Sequence, residues 1–387
     1  MKNLVICLDG TWNDADRPTP LTNIGRIAAS IHPKPTADLE QRVYYDSGVG
    51  TAGLLDRVKG GTFGIGLSGN VLEAYRFLSQ FYEDGFDILV FGFSRGAFTA
   101  RSLCGFLSAS GLLLPERCDP YHLDFAWNYY RTPPKQRFPA DRRKLDAITR
   151  ANVRVRFLGV FDTVGALGVP RKWLNWIGHH RFAFHDTEVS SVVDHSCHAL
   201  AIDEKRIEFE PAVWTAPRHR GFRTVEQVWF PGVHSDIGGG YPAHELADVT
   251  FDWMTGRARR YCPSLAFEEP PPPVVADGVL HDSLATPIYW RSRRTPMIRT
   301  IDRCKVDGAT RCCFPVERPH SKPIGEMLHW TALARLGTTA HGPGDAPYAP
   351  PNLVAAVANA RLGRTPVVGP EGEPVPWAVA ETYLARA

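Results

Sequence analysis

The chain has 387 residues, of which 44% are hydrophobic and 22% are charged. This balance is typical of a globular protein with a large buried core, and it excludes an intrinsically disordered chain. The net charge of +3 is small for this length, so the composition gives no indication of a nucleic-acid partner.

The N-terminus and the cysteines indicate a reducing compartment. The apolar stretch at residues 3–8 is too short for a signal peptide, and no segment approaches the ~18 consecutive apolar residues of a membrane span. None of the eight cysteines forms a Cys-x-x-Cys pair, so we expect no structural zinc site. We therefore expect a cytoplasmic protein without a transmembrane segment, with export by a route that needs no signal peptide as the alternative.

Strands and helices alternate in the hydrophobic pattern of the first two thirds of the chain. In chain order, the predicted strands are residues 3–8, 42–46, 86–93, 153–161 and 225–230, and the predicted helices are residues 71–81, 95–107, 189–202 and 246–261. Continuous apolar runs such as Phe86–Phe93 are typical of strands that are covered on both faces. The pattern predicts an α/β fold, with a mainly parallel sheet and helices on both faces.

The composition changes after Cys262. Residues 270–273 are an unbroken proline run, which is extended, and the remainder is rich in Pro, Arg and Gly with few clear periods. We predict one α/β domain at residues 1–262 and, at residues 263–387, a Pro-rich C-terminal extension that packs on its core.

A candidate nucleophile follows the strongest predicted strand. Residues Gly92–Gly96 read Gly-Phe-Ser-Arg-Gly and match the pattern Gly-x-Ser-x-Gly. The motif ends a strand and opens a helix, which places Ser94 on a sharp turn with its hydroxyl near a helix N-terminus, where negative charge is favoured. We interpret Ser94 as a catalytic nucleophile. The alternative is a glycine-flanked serine at an ordinary turn.

A serine nucleophile needs a base and an acid, which follow it in the order Ser, Asp or Glu, His in folds of this kind. Asp162 ends the predicted strand at residues 153–161, and His234 lies in a glycine-rich loop after the strand at 225–230. Both lie at the carboxyl edge of the sheet, where ligands bind. We interpret Asp162 as the acid and His234 as the general base. Alternatively, Asp162 caps a turn, while Asp236 orients His234 or holds its loop.

Acyl transfer also needs donors for the negative charge that develops on the carbonyl oxygen. We expect the N–H of Arg95 to be one donor, because it directly follows the nucleophile. The second donor is expected in the loop after the first strand, from the N–H of Gly10 or Thr11. Asp9 precedes this loop, and we expect it to line the site and to bond to the Ser94 loop or to Thr11.

Two glycine motifs precede the predicted helix at residues 71–81. Gly48–Gly53 and Gly64–Gly69 both match the Gly-x-Gly-x-x-Gly pattern of dinucleotide sites. The first motif is not followed promptly by a helix, which argues against a bound dinucleotide. We interpret this stretch as a mobile flap beside the site, because flexible glycine loops can gate substrate access.

Five segments together resemble one protein family. They are Asp9–Asn13, Gly92–Ala97, Phe161–Gly165, His198–Glu204 and Trp229–Tyr241. They are similar to the bacterial and fungal proteins labelled uncharacterised α/β-hydrolase domain, a group that includes the catalytic domain of type VI secretion phospholipase effectors. The resemblance covers the first two thirds of the chain. We interpret His198, in the fourth segment, as a structural or site-lining residue.

The resemblance implies an α/β-hydrolase-like fold with a catalytic domain at residues 1–262. It also implies a triad of Ser94, Asp162 and His234 that cleaves esters, with phospholipids as the substrate class of the effector branch. This chain departs from that branch because it has no visible long insertion with amphipathic helices that seat on a membrane. We therefore expect contact with a membrane surface to be transient.

The motifs and the resemblance predict a serine hydrolase that cleaves carboxylic esters of lipids or phospholipids through an acyl-enzyme. We expect no cofactor, no metal and no nucleic-acid partner, and the oligomeric state is open. One alternative is a non-catalytic protein of the same fold that binds a partner in the same crevice. A second alternative is a metal-dependent hydrolase that uses Asp9, Asp162, His234 and Asp236.

Overall fold

The computed structural model describes residues 2–10, 21–31, 39–48, 63–164, 188–215, 224–268, 270, 272–285, 290–294, 296–302, 306, 323–339 and 346–384. Its strands are β1 (Lys2–Leu8), β2 (Glu40–Asp46), β3 (Phe86–Phe93), β4 (Leu112–Leu113), β5 (Thr149–Arg150), β6 (Val155–Phe161), β7 (Val193–Ala201), β8 (Thr224–Phe230), β9 (Glu326–His329), β10 (Val367–Val368) and β11 (Pro374–Val375).

The helices alternate with these strands. They are α1 (Asn23–Ser30), α2 (Phe63–Phe81), α3 (Arg95–Ser110), α4 (Pro120–Arg131), α5 (Pro139–Asp146), α6 (His234–Gly238), α7 (Glu245–Tyr261), α8 (Trp290–Arg294), α9 (Trp330–Arg335), α10 (Pro351–Arg361) and α11 (Trp377–Ala380). In the described part of the chain, no helix combines the length and the apolarity needed to cross a bilayer.

One sheet organises the described residues, with the strand order β11-β10-β9-β8-β7-β6-β3-β1-β2. Its neighbouring strands are parallel, except that β10 and β11 are antiparallel. The short β4 and β5 pair with each other outside this sheet. The topology confirms the predicted α/β fold, which is of the α/β-hydrolase-like class.

Alternate side chains of the central strands enter two apolar cores. In β1, Leu4 and Ile6 pack with side chains of α2 and α3 on one face of the sheet. Val5 and Cys7 pack with side chains of α1 and α7 on the other face. Each large apolar side chain that is fully buried in this way contributes roughly 1.5–3 kcal/mol. The continuous apolar runs in the sequence are therefore explained by burial on both faces.

The parallel register brings the carboxyl ends of the strands to one edge. Leu8 of β1 pairs with Gly92 of β3, and Phe93 of β3 pairs with Phe161 of β6. Further along the sheet, β7 ends beside β8, where Ala201 pairs with Phe230. The residues that follow β1, β3, β6 and β8 therefore lie along the same edge, as predicted.

The predicted helix at residues 189–202 is wrong. This segment contains β7, which lies between β6 and β8 in the middle of the sheet. All nine residues of β7 are buried, including polar ones such as Asp194 and His198. Polar side chains on both faces of a buried strand hide its two-residue period, so the pattern resembled an amphipathic helix.

Residues beyond 262 extend the same sheet. β9 adds to the edge at β8, and β10 and β11 follow it. Helices of this part, such as α9 and α10, form a third apolar core with Leu200 and Trp229 from β7 and β8. The division at residue 262 stays a prediction, but the C-terminal segment supplies strands and core side chains.

The glycine motifs lie only partly in the described residues. The second, Gly64–Gly69, lies in the first turns of α2 rather than in a flexible loop, so the flap prediction is wrong for this part. Of the first, only Gly48 is described, two residues after the end of β2. Residues 49–62 of the predicted flap lie outside the described residues.

Candidate active site

Ser94 occupies the turn between β3 and α3 in a backbone conformation that is unusual for a residue with a side chain. Its φ is 56° and its ψ is −118°, which stores strain of the kind found at functional turns. The flanking glycines make the turn possible, because a Cβ on Gly96 would lie 2.1 Å from the Leu8 carbonyl oxygen. A Cβ on Gly92 would lie 2.6 Å from the carbonyl oxygen of Gly96. The motif therefore folds into the predicted strand-to-helix elbow.

Asp162 and His234 meet beside this elbow. The elbow is joined to β6 by a hydrogen bond from the Ser94 N–H to the Phe161 carbonyl at 3.1 Å. Asp162 follows directly, with a φ of 36°, and its Oδ2 lies 2.6 Å from Nδ1 of His234. Both side chains are buried. Because an ionised carboxylate can only accept, the imidazole donates from Nδ1.

Sequence reasoning missed a third partner of this pair, Arg299. Its guanidinium is fully buried and donates to Asp162 Oδ1 at 2.6 Å and to Oδ2 at 3.0 Å. Burial alone would raise the pKa of Asp162, but Arg299 and His234 outweigh it and hold that pKa well below its usual value. The sequence signal was weak, since Arg299 is a charged residue within the short apolar stretch Met297–Ile301.

The surroundings of His234 favour the neutral form of its imidazole. Burial lowers its pKa, while the contact with Asp162 acts in the opposite direction. The rings of Phe93 and Phe209 lie 4.7 and 4.8 Å from it, measured between centroids. Among the described residues, its Nε2 has no hydrogen-bond partner and is buried. With Nδ1 donating to Asp162, Nε2 keeps a lone pair for a substrate or nucleophile proton.

An acidic residue that the sequence analysis did not assign holds the backbone of His234. Oε2 of Glu204 accepts from the His234 N–H at 3.2 Å and from Nη2 of Arg206 at 2.8 Å. Oε1 of Glu204 accepts from Nε of Arg206 at 2.8 Å. Glu204 is buried, and its pKa is lowered because the bonds from Arg206 outweigh the effect of burial.

Asp236 holds the loop rather than the imidazole. Its Oδ2 accepts from the Val233 N–H at 3.0 Å, which closes the turn around His234. Its Oδ1 lies 2.6 Å from Nδ1 of His281. Of the two roles that the sequence left open for Asp236, the contacts support the structural one.

The contacts of His198 support a structural role, one of the two that the sequence left open. It lies on β7, where its Nε2 accepts from the Thr163 N–H at 3.0 Å, directly after Asp162. Its Nδ1 lies 3.3 Å from Oε1 of Gln227. Burial lowers the pKa of His198 to about 3, so the ring is neutral and can serve as the acceptor for Thr163.

The loop after β1 lies against Ser94. A Cβ on Gly10 would lie 3.4 Å from Cβ of Ser94. The Gly10 N–H is donated to Oδ1 of Asp9 at 2.6 Å, and Oδ2 of Asp9 accepts from the hydroxyls of Thr22 and Tyr45. The expected bond from Asp9 to the Ser94 loop is therefore replaced by bonds to α1 and β2 neighbours, and Thr11 lies outside the described residues.

The four residues of the metal hypothesis do not converge. Asp162 and His234 touch each other, while Asp9 is bound by hydroxyl groups and Asp236 by His281. Within the described ranges, no group of three or more His, Cys, Asp or Glu side chains is placed to hold a metal ion. The donor geometry therefore gives this alternative no support.

Three proteins with detectable similarity are each longer than this chain. A protein of the yeast Saccharomyces cerevisiae, described as uncharacterized, is 30% identical in a 235-residue alignment that covers 55% of this chain and 33% of that protein. A solved structure of the Tle1 effector bound to the VgrG spike from the type 6 secretion system is 20% identical, with a TM-score of 0.36, and covers 62% of this chain and 51% of its own.

An uncharacterized protein from Pseudomonas aeruginosa is 18% identical, with a TM-score of 0.37, and the match covers 69% of this chain and 46% of that one. This chain thus spans about a third of the yeast protein and about half of each solved chain. A family model described as "T6SS, Phospholipase effector Tle1-like, catalytic domain" matches residues 2–257. The chain therefore belongs to the Tle1-like phospholipase effector family.

Proposed function

We propose that this protein is a serine hydrolase that cleaves lipid esters, with Ser94, Asp162 and His234 as its catalytic triad. The observation that carries the proposal is the 2.6 Å contact between Asp162 and His234 beside the strained elbow of Ser94. The three residues follow three different strands of one sheet edge. The nucleophile, acid and base occur in the chain order that is typical of α/β-hydrolases.

In the proposed reaction, Ser94 Oγ attacks the acyl carbon while Nε2 of His234 takes the hydroxyl proton. Asp162 keeps the imidazole in the tautomer with Nδ1–H and stabilises the imidazolium that forms. His234 then gives the proton to the leaving alcohol, which leaves an ester on Ser94. A water molecule, deprotonated by His234, attacks this acyl-enzyme, and the bond to Ser94 Oγ breaks as His234 returns the proton to that oxygen, which releases the carboxylic acid.

The tetrahedral intermediates need backbone donors. Arg95 is the first residue of α3, so its N–H belongs to a helix N-terminus, where the dipole favours negative charge. The Gly10 N–H is engaged by the carboxylate of Asp9. Of the two donors considered for the loop after β1, we therefore favour the N–H of Thr11 over that of Gly10.

The family supports a lipid as the substrate, because its description is that of phospholipase effectors. We propose a phospholipid ester that the protein reaches by transient contact with a membrane surface. Delivery by a secretion system without a signal peptide belongs to the same proposal. A comparison of different lipid esters as substrates would identify the preferred acyl chain and head group.

A fluorophosphonate probe and a panel of p-nitrophenyl esters and phospholipid vesicles test this proposal. Wild type should be labelled and should hydrolyse at least one lipid ester, and Ser94→Ala should lose both. Ser108→Ala is the matched control, since it removes another α3 hydroxyl, one that bonds to Ser191 at 2.9 Å, and it should behave as wild type. Unlabelled, inactive wild type would instead indicate a non-catalytic binding protein.

A further inference from the structure

Arg299 has contacts that a catalytic triad by itself does not need. We propose that Arg299 is a positioning residue of the active site, which fixes the carboxylate of Asp162 and, through its charge, makes His234 a weaker base. The inference rests on the proposed function, because it assigns a role within the same triad.

The geometry fixes the guanidinium and the carboxylate against each other. Asp162 accepts from four donors, since the Ala201 N–H reaches its Oδ1 at 3.0 Å in addition to the two bonds from Arg299 and the one from His234. Arg299 in turn donates to the Ala201 carbonyl at 2.9 Å and to the Phe209 carbonyl at 2.6 Å. A bidentate pair of this kind leaves the carboxylate one orientation, with Oδ2 towards His234.

The charge of Arg299 acts on His234 through this shared carboxylate. A buried carboxylate that faces only a neutral imidazole is an unpaired charge, which strongly favours protonation of the imidazole. Here Asp162 is already paired with a guanidinium, and the same positive charge opposes an imidazolium nearby. His234 is therefore expected to stay neutral, and competent as a base, down to a lower pH than in a triad without this cation.

The other charged groups around His234 leave this effect visible. Glu204 faces the His234 backbone, but its charge is matched by the bidentate bonds of Arg206. Asp236, on the same loop, is bound by His281. His234 thus lies between two acid–arginine pairs, Glu204 with Arg206 and Asp162 with Arg299. Its imidazole contacts the carboxylate of the second pair, that of Asp162.

The position of Arg299 in the chain makes the inference specific to this protein's C-terminal segment. The family match ends at residue 257, and Arg299 is separated from Asp162 by 137 positions. The segment at residues 296–302 therefore contributes a side chain to the site from outside the matched region. The predicted catalytic domain at residues 1–262 lacks this side chain.

The test measures the ionisation of His234 in Arg299 variants of the full chain. Arg299→Gln should move the acid limb of the kcat/KM profile to higher pH by about one unit, because loss of the cation favours the imidazolium. Nitrogen-15 NMR of the His234 ring should report the same change without substrate. Arg299→Lys should keep the limb near its wild-type position and lower kcat, since it keeps the charge and loses the bidentate geometry.

Arg257→Gln is the matched control, because Arg257 is another buried arginine, paired with Glu226 in the amino-terminal half of β8, whereas His234 follows the carboxyl end. It should lower stability without moving the limb. If Arg299→Gln does not fold, Arg299→Met replaces it, and the same upward movement is required. A folded variant whose limb and imidazole titration match wild type contradicts the proposal, as does failure of both variants to fold.

The two readouts separate this inference from the proposed function. If wild type has no esterase activity but the imidazole titration still moves in Arg299→Gln, the proposed function is contradicted. The coupling between Arg299 and His234 then still holds. If wild type is active but the His234 titration does not move in Arg299→Gln, only the proposed role of Arg299 is contradicted.

Discussion

The proposed nucleophile and the proposed acid–base pair are held in place by different means. Ser94 depends on backbone packing, because Gly92 lets β3 approach the start of α3 and Gly96 lets α3 approach the carbonyl of Leu8. Asp162 and His234 depend on side chains from distant segments. Arg299 holds the carboxylate of Asp162, and Glu204 holds the backbone N–H of His234. The first arrangement is steric and depends on backbone atoms, while the second is electrostatic and depends on side chains.

This difference predicts different responses to change. A steric elbow leaves no room for an added atom, so a small substitution should have a large effect on folding. A charged network can lose one contact and still fold, so its variants should show graded losses and altered pH dependence. The experiments below test this contrast, starting with the largest expected effect.

Gly96→Ala tests the steric half. The added Cβ would lie 2.1 Å from the Leu8 carbonyl oxygen, and this backbone cannot yield without moving β1. We expect a loss at or beyond the upper end of the ~1–3 kcal/mol that overpacking costs, measured by urea unfolding.

The control for that substitution is Gly69→Ala in α2. An added Cβ at Gly69 meets nothing within 4 Å, and alanine is favoured over glycine in a helix by about 0.5–1 kcal/mol. The control should therefore be as stable as wild type or more stable. If Gly96→Ala unfolds at the same urea concentration as the control, the elbow is not sterically determined.

His198→Leu tests the side-chain half. It removes the acceptor for the buried N–H of Thr163, next to Asp162, which should lower the free energy of unfolding by roughly 1–3 kcal/mol. We also expect kcat/KM to fall, because the turn that carries Asp162 loses its support. Thermal unfolding and ester hydrolysis measure the two effects.

His195→Leu is the matched variant on the same strand. His195 bonds to Thr224 at 2.9 Å and stacks on Tyr261, towards the amino end of β7. It should lose stability and retain kcat/KM. Equal losses of kcat/KM in both variants would contradict the specific role of His198 in supporting the turn that carries Asp162.

Asp203→Asn tests the electrostatic arrangement and has the smallest expected effect on stability. Burial raises the pKa of Asp203 to about 6. A carboxyl group with a raised pKa in the folded state holds its proton more tightly when folded. Its contribution to stability therefore falls as pH rises from the pKa of the unfolded state to about 6. Because Asp203 is partly exposed, we expect a loss of about 1 kcal/mol over this interval.

The asparagine variant should not show this loss. Both donors to Asp203, the Gly232 N–H and the Tyr348 hydroxyl, reach the same oxygen, Oδ2, so one amide oxygen can accept both. The stability difference between variant and wild type should therefore grow as pH rises through this range in urea unfolding. Parallel pH curves for the two proteins would show that Asp203 does not titrate as described.

The same contrast explains what the sequence could predict. The strands that end at Leu8, Phe93 and Phe161 were predicted because a run of apolar residues and its turn are neighbours in the chain. β7 was predicted as a helix because its polar residues are satisfied by partners far along the chain, such as Gln227 for His198. Local patterns carry no record of such partners.

The candidate site divides in the same way. Ser94, Asp162 and His234 could each be proposed from a strand end and its turn, and Asp162 and His234 do meet. Arg299 could not be, since no short-range pattern links it to a residue 137 positions earlier. The engagement of the Gly10 N–H by Asp9 also depends on side-chain geometry that spacing does not reveal.

The contact between Arg299 and Asp162 also sets an order in time. A protein is synthesised from its N-terminus, so the segments that carry Ser94, Asp162 and His234 leave the ribosome before Arg299 does. Until residue 299 has been made, the carboxylate of Asp162 lacks the cation that pairs with it. A nascent chain therefore carries its three proposed reactive groups without the complete site, and the proposed site is completed only late in translation.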